Sequence, residues 1–233
     1  GAAKVQLEQI DIAHQIIDKY PDVFELALDV SDIRHAFGDQ KIASMLGIEG
    51  GHAIENSLGA LRAFHRMGVR YMTLTHNGTL DWADAANDEQ RHGGLTYFGQ
   101  EVVREMNRLG MLVDLSHTSP STMNDALDVA EAPVIWSHAS ANGIRAHPRN
   151  VPDQVLRRLP ENGGVVMVTF VPSFVSESDE ATLSDVADHI DHVTAIAGVD
   201  HVGIGSDFDG IDSTPVGLED VSTYPSLFAE LSR

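Results

Sequence analysis

The repeating unit of this chain is clearest in residues 111–139, which read MLVDLSHTSPSTMNDALDVAEAPVIWSHA. The runs Met111–Ser116 and Ala132–Ser137 are short, largely apolar and β-rich, and each is followed by a histidine. Between them, Ser119–Val129 has the character of a helix. A strand, a helix and a second strand in this order predict two parallel strands joined by a crossover helix, in a sheet covered on both faces.

The same alternation extends through the chain on both sides of this unit. Four more strands and one weaker candidate are predicted, at Ile42–Ile48, Val69–Thr75, Gly164–Phe170, His201–Ser206 and, more weakly, Phe24–Leu28. The other predicted helices are Val5–Tyr20, Asp32–Phe37, Ser57–Met67, Thr96–Leu109, Val151–Leu159 and Leu183–Ala197. Alternating strands and helices are typical of an α/β fold with a parallel sheet.

A strand–helix period of roughly 25 to 35 residues favours a (β/α)8 TIM barrel of the metal-dependent hydrolase type. A doubly wound sheet is the alternative, but no GxGxxG motif follows a strand. Six or seven strands fall short of eight, so we expect the barrel to be incomplete in this chain. Its two exposed edges would allow two chains to pair as a homodimer. No linker interrupts the pattern, which predicts one domain over residues 1–233.

Charge and composition exclude several functions. The chain has 15 Lys and Arg against 35 Asp and Glu, a net charge of −20, so neither nucleic acid nor an anionic membrane surface is an expected partner. The longest mostly apolar run, Gly163–Pro172, has half of the ~20 residues that a membrane helix needs. No signal peptide is recognised, and we expect a soluble protein of undecided compartment. Without cysteine, a bound metal depends on carboxylates and the 12 histidines.

Five ionisable side chains follow the ends of predicted strands, namely Glu49, His76, His117, His138 and Asp207. In a barrel these positions converge on one site. A single histidine there is more often a hydrogen-bonded structural residue, but five ionisable residues in register favour a shared polar site. His117 and His138 follow consecutive strands, and two histidines with one carboxylate are a common zinc ligand set that leaves a position open for water.

Three other polar features have competing interpretations. Arg149, in the loop HPRNVPD, is suited to bidentate binding of a substrate carboxylate, while a surface ion pair is the alternative. Asp207 and Asp209 share a face if the chain is extended there, so one of them can act at the site while the other orients the loop. The cluster DHIDH at residues 188–192 looks like a metal motif, but on a helix its members point apart, which predicts a solvated face.

Several long motifs resemble the membrane (renal) dipeptidases, zinc peptidases of the amidohydrolase-like barrel superfamily. The matching segments are GIEGGH (47–52), LTHNGTLDWAD (74–84), DLSHTS (114–119), APVIWSHASANGIRAHPRNVPD (132–153) and GIGSDFDG (203–210). The similarity runs from about Val5 to the C-terminus, and the motifs agree with the family in order and spacing. The resemblance is therefore specific, and it carries an expected fold, activity and metal.

The resemblance implies a zinc centre. Glu49 would bridge two zinc ions and so belong to both the metal ligands and the catalytic residues, while His117 and His138 would complete the ligands of one ion. The family's second ion needs a His-x-Asp pair on the first barrel strand, and the only such pair here is residues 189–191, in a predicted helix. We therefore expect one well-held zinc, in a chain that resembles the middle of a dipeptidase without its first strand and its C-terminal helices.

The resemblance also implies how a dipeptide would be bound and cleaved. His76 would contact the substrate near the scissile carbonyl, and Arg149 would hold the C-terminal carboxylate. Asp207 would transfer the proton between the attacking water and the leaving amine. Phe174 falls at a position where family members carry an aromatic residue that lines the substrate pocket.

Three hypotheses about function follow. The first is a zinc-dependent dipeptidase that cleaves small dipeptides with a metal-activated water molecule. The second keeps this chemistry on another small substrate, such as a cyclic amide or a lactone. The third is a truncated, non-catalytic family member, which the missing His-x-Asp pair favours and the retained set of polar residues opposes.

Overall fold

The computed structural model describes residues 1–178 and 180–233. Its strands are β1 (Phe24–Leu26), β2 (Ile42–Ser44), β3 (Leu46–Ile48), β4 (Val69–Thr73), β5 (Leu112–Asp114), β6 (Ile135–Ala139), β7 (Val165–Val168) and β8 (Val202–Ile204). Its helices are α1 (Ala2–Lys19), α2 (Val30–Gly38), α3 (Leu58–Arg66), α4 (Tyr97–Leu109), α5 (Pro120–Val129), α6 (Asp153–Leu156), α7 (Leu159–Asn162), α8 (Pro172–Val175), α9 (Leu183–Ala197) and α10 (Tyr224–Leu231).

The strands confirm the predicted α/β barrel class. β3 to β8 form one sheet in which every pair is parallel and the spatial order equals the order along the chain. β1 and β2 form a second, parallel pair. Within the described residues, β8 has a strand neighbour on one side only. This part of the chain is therefore an open sheet of barrel type, with the carboxyl ends of its strands at a common edge.

The segment predicted as one strand, Ile42–Ile48, is divided into two. β2 pairs with β1, whereas β3 pairs with β4, so the chain changes its partner at Met45. The register of β3 against β4 also shifts between Leu46 and Gly47. The ring of Tyr71 occupies the space that a β-carbon at Gly47 would need. The prediction of a single strand was wrong because apolar character does not report which neighbour each half of a strand pairs with.

Two other predicted elements differ from the structure at prolines. The predicted helix Val151–Leu159 is two short helices, α6 and α7, and Pro160 is the second residue of α7. Proline has no amide hydrogen for a bond to the preceding turn, so it begins a new helix rather than continuing one. The strand predicted at Ala132–Ser137 begins only after Pro133, and His138 lies within β6 rather than after it. Sequence analysis also missed α8 and α10.

α4 illustrates how sequence and packing agree in this fold. The Thr96 hydroxyl accepts a hydrogen bond from the Gly99 amide at its start, and Gly110 ends it in the left-handed conformation, at φ 74°. Its face with Val102, Val103 and Met106 is fully buried in the core. Burying such side chains is the main source of stability of the fold. Among the described residues, no helix is both long and apolar enough to cross a bilayer.

The long connection between β4 and α4 is organised by Asp84, whose side chain is fully buried. Its carboxylate accepts hydrogen bonds from the amides of Arg91 (2.8 Å), His92 (3.1 Å) and Gly94 (3.0 Å). The backbone carbonyl of Asp84 accepts a hydrogen bond from the Ser119 amide (3.0 Å), in the loop that follows β5. Burial alone would raise the pKa of Asp84, but the backbone hydrogen bonds outweigh burial and lower this pKa.

We predict that Asp84→Ala destabilises the fold by about 3 kcal/mol, a Tm decrease of about 6–12 °C, because buried amides lose their acceptor. Asp88→Ala is the matched control, since Asp88 is exposed in the same connection. The folded pKa of Asp84 lies below its unfolded value, so the contribution is present above the unfolded pKa and is lost as pH falls through the folded value. Thermal unfolding from pH 7 to pH 3 tests this, and equal Tm values for both variants at pH 7 would contradict it.

Candidate active site

The predicted site residues meet at the carboxyl ends of the strands. Glu49 follows β3 directly, and His138 is the fourth residue of β6. His76, His117 and Asp207 each come three residues after the end of a strand, namely β4, β5 and β8. A parallel sheet brings all five to one edge, as the sequence predicted.

Glu49, His117 and His138 form a compact cluster of candidate metal ligands. Glu49 Oε1 lies 3.0 Å from His117 Nε2 and 3.3 Å from His138 Nε2, and the two histidine nitrogens are 2.9 Å apart. Ligands of a tetrahedral zinc with bonds of about 2.0–2.1 Å stand about 3.3 Å apart. His76 Nε2 is 3.8 Å from the same carboxylate oxygen, so it lies at the edge of the cluster.

The protonation states of this cluster suit a cation. Burial lowers the pKa of His117 to about 4, so this imidazole is neutral at pH 7 and can bind a cation once a cation replaces the proton that it shares with Glu49. Hydrogen bonds from His117 and His138 hold the pKa of Glu49 far below its usual range, so Glu49 is a carboxylate. Two nitrogens and one carboxylate oxygen are ligands that zinc accepts. The donor set therefore fits a zinc ion.

A group of polar side chains lies under the histidines, namely Asp114 and Ser116, which are buried, and Ser137, which is partly buried; we call it the polar base. Asp114 Oδ1 accepts hydrogen bonds from the amides of Ser116 and Ser137, both at 3.0 Å. The Ser116 hydroxyl accepts one from the His138 amide (3.0 Å), and the Ser137 hydroxyl bonds with His138 Nδ1 (2.8 Å). The polar base thus fixes the ring of His138 with Nε2 toward Glu49.

Sequence analysis did not identify the polar base as part of the site. One signal was available, because a serine precedes the histidine in both LSH and WSH, residues 115–117 and 136–138. Asp114 Oδ2 is buried without a hydrogen-bond partner among the described residues, which is unusual for a carboxylate oxygen.

Two of the site residues have left-handed backbones. His117 has φ 68° and Asp207 has φ 65°, a region that residues other than glycine seldom occupy. The His117 carbonyl accepts hydrogen bonds from the Thr75 hydroxyl (3.0 Å) and the Ala86 amide (2.7 Å), which hold this conformation. Strained backbone of this kind persists where the surroundings fix it, and it is common at functional sites.

Arg149 and Phe174 form one wall of the site, and only 5% of the surface of Arg149 is exposed. Its guanidinium carbon is 5.1 Å from the centre of the Phe174 ring, and one of its nitrogens donates to the His138 carbonyl (3.4 Å). Arg149 Nε is buried with no partner among the described residues. Burial lowers the pKa of Arg149 to about 10, so it is still a cation at pH 7. The alternative of a surface ion pair is therefore wrong.

His147 supports this wall, although sequence analysis gave it no role. Its ring lies 4.4 Å from that of Phe174, tilted by 31°. Its Nδ1 accepts a hydrogen bond from the Arg149 amide (3.2 Å). Phe174 is thus held between a histidine and an arginine of the same loop.

One cavity joins the candidate metal ligands to the wall that holds Arg149 and Phe174. Six of the seven predicted site residues line it, all except His138: Glu49, His76, His117, Arg149, Phe174 and Asp207. Burial raises the pKa of Asp207 above its ordinary value, although the nearby His138 and Arg149 oppose this. The cavity therefore combines a candidate metal centre, a buried cation and a carboxyl group with increased proton affinity.

The cluster at residues 188–192 lies apart from these ligands, but its predicted environment was only partly right. Asp188 and Asp191 are exposed, as expected. His189 is fully buried, and it bonds to the backbone of two loops. The solvated-face prediction was wrong for His189, because the short helix α8 packs over this side of α9.

The amino-acid sequence of this chain is similar to those of known dipeptidases. The chain matches the family model described as membrane dipeptidase, peptidase family M19, over residues 1–233. It is 51% identical over 230 residues to an uncharacterized dipeptidase of Schizosaccharomyces pombe, covering 97% of this chain and 56% of that protein. It is 48% identical over 229 residues to dipeptidase aclJ of Aspergillus oryzae, covering 96% of this chain and 54% of that protein. The chain thus spans about half the length of these curated relatives.

A solved structure extends the similarity to the fold. It is a metallopeptidase from Rhodobacter sphaeroides, liganded with a phosphinate mimic of the dipeptide L-Ala-D-Ala. It matches with a TM-score of 0.82 and 30% identity, over 90% of this chain and 62% of that one. Because the family match covers all 233 residues and the fold agrees, this chain belongs to the membrane dipeptidase family, peptidase family M19.

Proposed function

We propose that residues 1–233 are one catalytic domain of a zinc-dependent dipeptidase, which hydrolyses the peptide bond of a dipeptide with water. The observation that carries this proposal is the convergence of Glu49, His117 and His138 on one point, in a cavity whose far wall holds a buried arginine. Membership of the family supports it, as does the dipeptide mimic that a relative binds.

The metal centre of this proposal uses Glu49 Oε1 and the Nε2 atoms of His117 and His138. When bound there, zinc supplies a Lewis acid that polarises a carbonyl group and makes water nucleophilic at neutral pH. The polar base keeps the ring of His138 turned toward this point. The left-handed backbone of His117, in the loop after β5, turns the His117 ring toward the same point. His76, at the edge of the cluster, faces the place where the scissile carbonyl would lie.

Arg149 selects the substrate in this proposal. Its guanidinium is buried and charged, so a free carboxylate in the cavity gains a charge-assisted and potentially bidentate pair in a poorly solvated place. A dipeptide carries such a carboxylate one residue beyond the scissile bond, whereas a longer peptide does not. Phe174 closes the wall beside the arginine and limits the size of the side chain that fits.

Asp207 transfers the proton in this proposal. It lines the same cavity from the end of β8, and burial raises its pKa toward the range in which a carboxyl group accepts and returns protons. Asp207 takes a proton as water attacks the carbonyl carbon and returns it to the leaving amine nitrogen. The C–N bond then breaks, and the second proton of the water also ends on the released nitrogen, leaving a carboxylate on one amino acid and an ammonium group on the other.

The other hypotheses separate by assay. Turnover of cyclic amides or lactones without turnover of dipeptides would replace the proposed substrate class, and a zinc-loaded protein with no hydrolase activity would support a non-catalytic member. Homodimer formation stays a prediction from the exposed strand edges.

We predict one well-held zinc per chain, because the described residues provide three converging ligands and residues 189–191 lie away from them on α9. Zinc content after dialysis, measured by mass spectrometry, tests this. Glu49→Ala should lose the metal, since it removes one of the three proposed ligands. Two stoichiometric zinc ions in the wild-type protein would show that a further ligand set exists.

We predict that Asp207→Asn lowers kcat by about 10²-fold or more, the usual scale for loss of a general acid–base group. Zinc content and dipeptide binding should stay close to wild type, since Asp207 is not among the proposed ligands. Asp209→Asn is the matched control, because Asp209 is an exposed carboxylate on the same loop. Loss of zinc from the Asp207 variant would make this residue a ligand, and full kcat would move the proton transfer to another group, with His76 the next candidate.

We predict that Arg149→Ala raises KM for free dipeptides by about 10- to 100-fold, the scale of a lost charge-assisted hydrogen bond. A C-terminally amidated analogue should be affected little, because it offers no carboxylate. Arg149→Lys keeps the charge without the planar fork and should fall between wild type and alanine. Equal KM changes for the free and amidated substrates would exclude carboxylate binding by Arg149.

A further inference from the structure

His189 is a buried polar residue on a helix that carries no proposed catalytic group. Its side chain is fully buried, and both ring nitrogens are used. Nδ1 accepts a hydrogen bond from the Ala141 amide at 3.0 Å, and Nε2 lies 3.1 Å from the Val175 carbonyl. These two partners belong to separate segments, the loop after β6 and the end of α8.

The two partners determine the tautomer of His189. A backbone amide can only donate, so Nδ1 carries the lone pair, and a carbonyl can only accept, so Nε2 carries the hydrogen. Burial lowers the pKa of His189 to about 4, so the ring is neutral and keeps this arrangement at pH 7. A neutral imidazole with both nitrogens satisfied is a rigid link between the two backbone groups.

The two linked segments carry the wall that binds the substrate carboxylate in the proposed function. The loop of residues 141–151 contains Arg149, and α8 contains Phe174. The loop is closed at its base, because the Asn142 amide donates to the Val151 carbonyl (3.0 Å) and the Val151 amide donates to the Ser140 carbonyl (2.7 Å). A displacement of Ala141 therefore also displaces the other end of the loop, which carries Arg149.

A second link joins the same two segments beside Arg149. The side-chain amide of Asn150, which is 1% exposed, donates to the carbonyls of Arg145 and Phe174, both at 2.8 Å. His189 and Asn150 thus tie the loop to α8 at two places, through the consecutive carbonyls of Val175 and Phe174.

We propose that His189 is a positioning residue of the carboxylate subsite, which holds Arg149 and Phe174 at a fixed separation by linking Ala141 to Val175. The inference rests on the proposed function for the identity of the ligand. It gives His189, the histidine of the His-x-Asp pair at residues 189–191, a role in substrate selection instead of in metal binding.

Two substitutions separate the arms of this link. In His189→Asn, the side-chain oxygen can lie near the position of Nδ1 and accept from the Ala141 amide, but the side chain is too short to reach the Val175 carbonyl. In His189→Gln, the side-chain amide can lie near the position of Nε2 and donate to the Val175 carbonyl, but it does not accept from the Ala141 amide. His201→Gln is the matched control, because the ring of His201 also bonds to a backbone carbonyl, that of Gly164 (2.8 Å), outside these segments.

The test is calorimetric binding, to zinc-loaded protein well below its Tm, of a phosphinate dipeptide mimic and of its C-terminal amide counterpart. We expect His189→Asn and His189→Gln to weaken binding of the free carboxylate on the order of tenfold, since small displacements of a positioned group have effects of this size or larger. Binding of the amide, zinc content and all His201→Gln values should match wild type. A core role alone would lower Tm without changing the ratio between the two ligands, and an unchanged ratio in both His189 variants would overturn the inference.

Hydrogen exchange distinguishes failure of this inference from failure of the proposed function. If the wild-type protein binds neither ligand, the proposed function is wrong, and exchange still reports whether the link exists. Faster exchange confined to residues 141–151 and 172–176 in the His189 variants supports a positioning link. Unchanged exchange in these segments, or an increase spread over the whole chain, overturns it.

Discussion

Two imidazole nitrogens and one carboxylate oxygen lie within 3.3 Å of one another in His117, His138 and Glu49. Such atoms repel one another unless a proton or a cation lies between them, so the surrounding structure must hold them at fixed positions. Asp114 does this by accepting hydrogen bonds from the amides of Ser116 and Ser137, which fixes the two peptide groups. The Ser137 hydroxyl is hydrogen-bonded to Nδ1 of His138, the other ring nitrogen. The site therefore depends on the hydrogen bonds behind its ligands as much as on the ligands themselves.

The convergence of the site was predictable because it follows from topology. Once the strands are known to be parallel, the residues after them must meet at one edge, and this alone brought Glu49, His117 and Asp207 together. Arg149 was different. Its position eleven residues after His138 allowed either binding of a substrate carboxylate or a surface ion pair, and the resemblance to the family favoured the first. Its burial reflects packing against Phe174, which lies far away in sequence.

What the sequence did not predict depends on contacts between distant segments. Periodicity identified the helix that contains His189, but not that α8, a single turn, packs over it. The same limit applies to Asp114, which reads as an ordinary strand residue until the amide of Ser137 is placed beside it. Ile42–Ile48 was divided for a related reason, since each half pairs with a different neighbour. Each case concerns a contact with a segment that is distant in the sequence, and the local sequence pattern carries little information about such contacts.

The order of the strands also has a consequence for how the protein assembles as it is made. Because β3 to β8 stand in the sheet in their order along the chain, each new strand can dock on the one synthesised just before it. The three candidate metal ligands are all present once β6 has left the ribosome, whereas Asp207 follows only after β8. A nascent chain thus completes the candidate metal site well before it acquires the carboxylate that is proposed to move the proton. Under the proposed function, hydrolysis therefore starts only after β8 is in place.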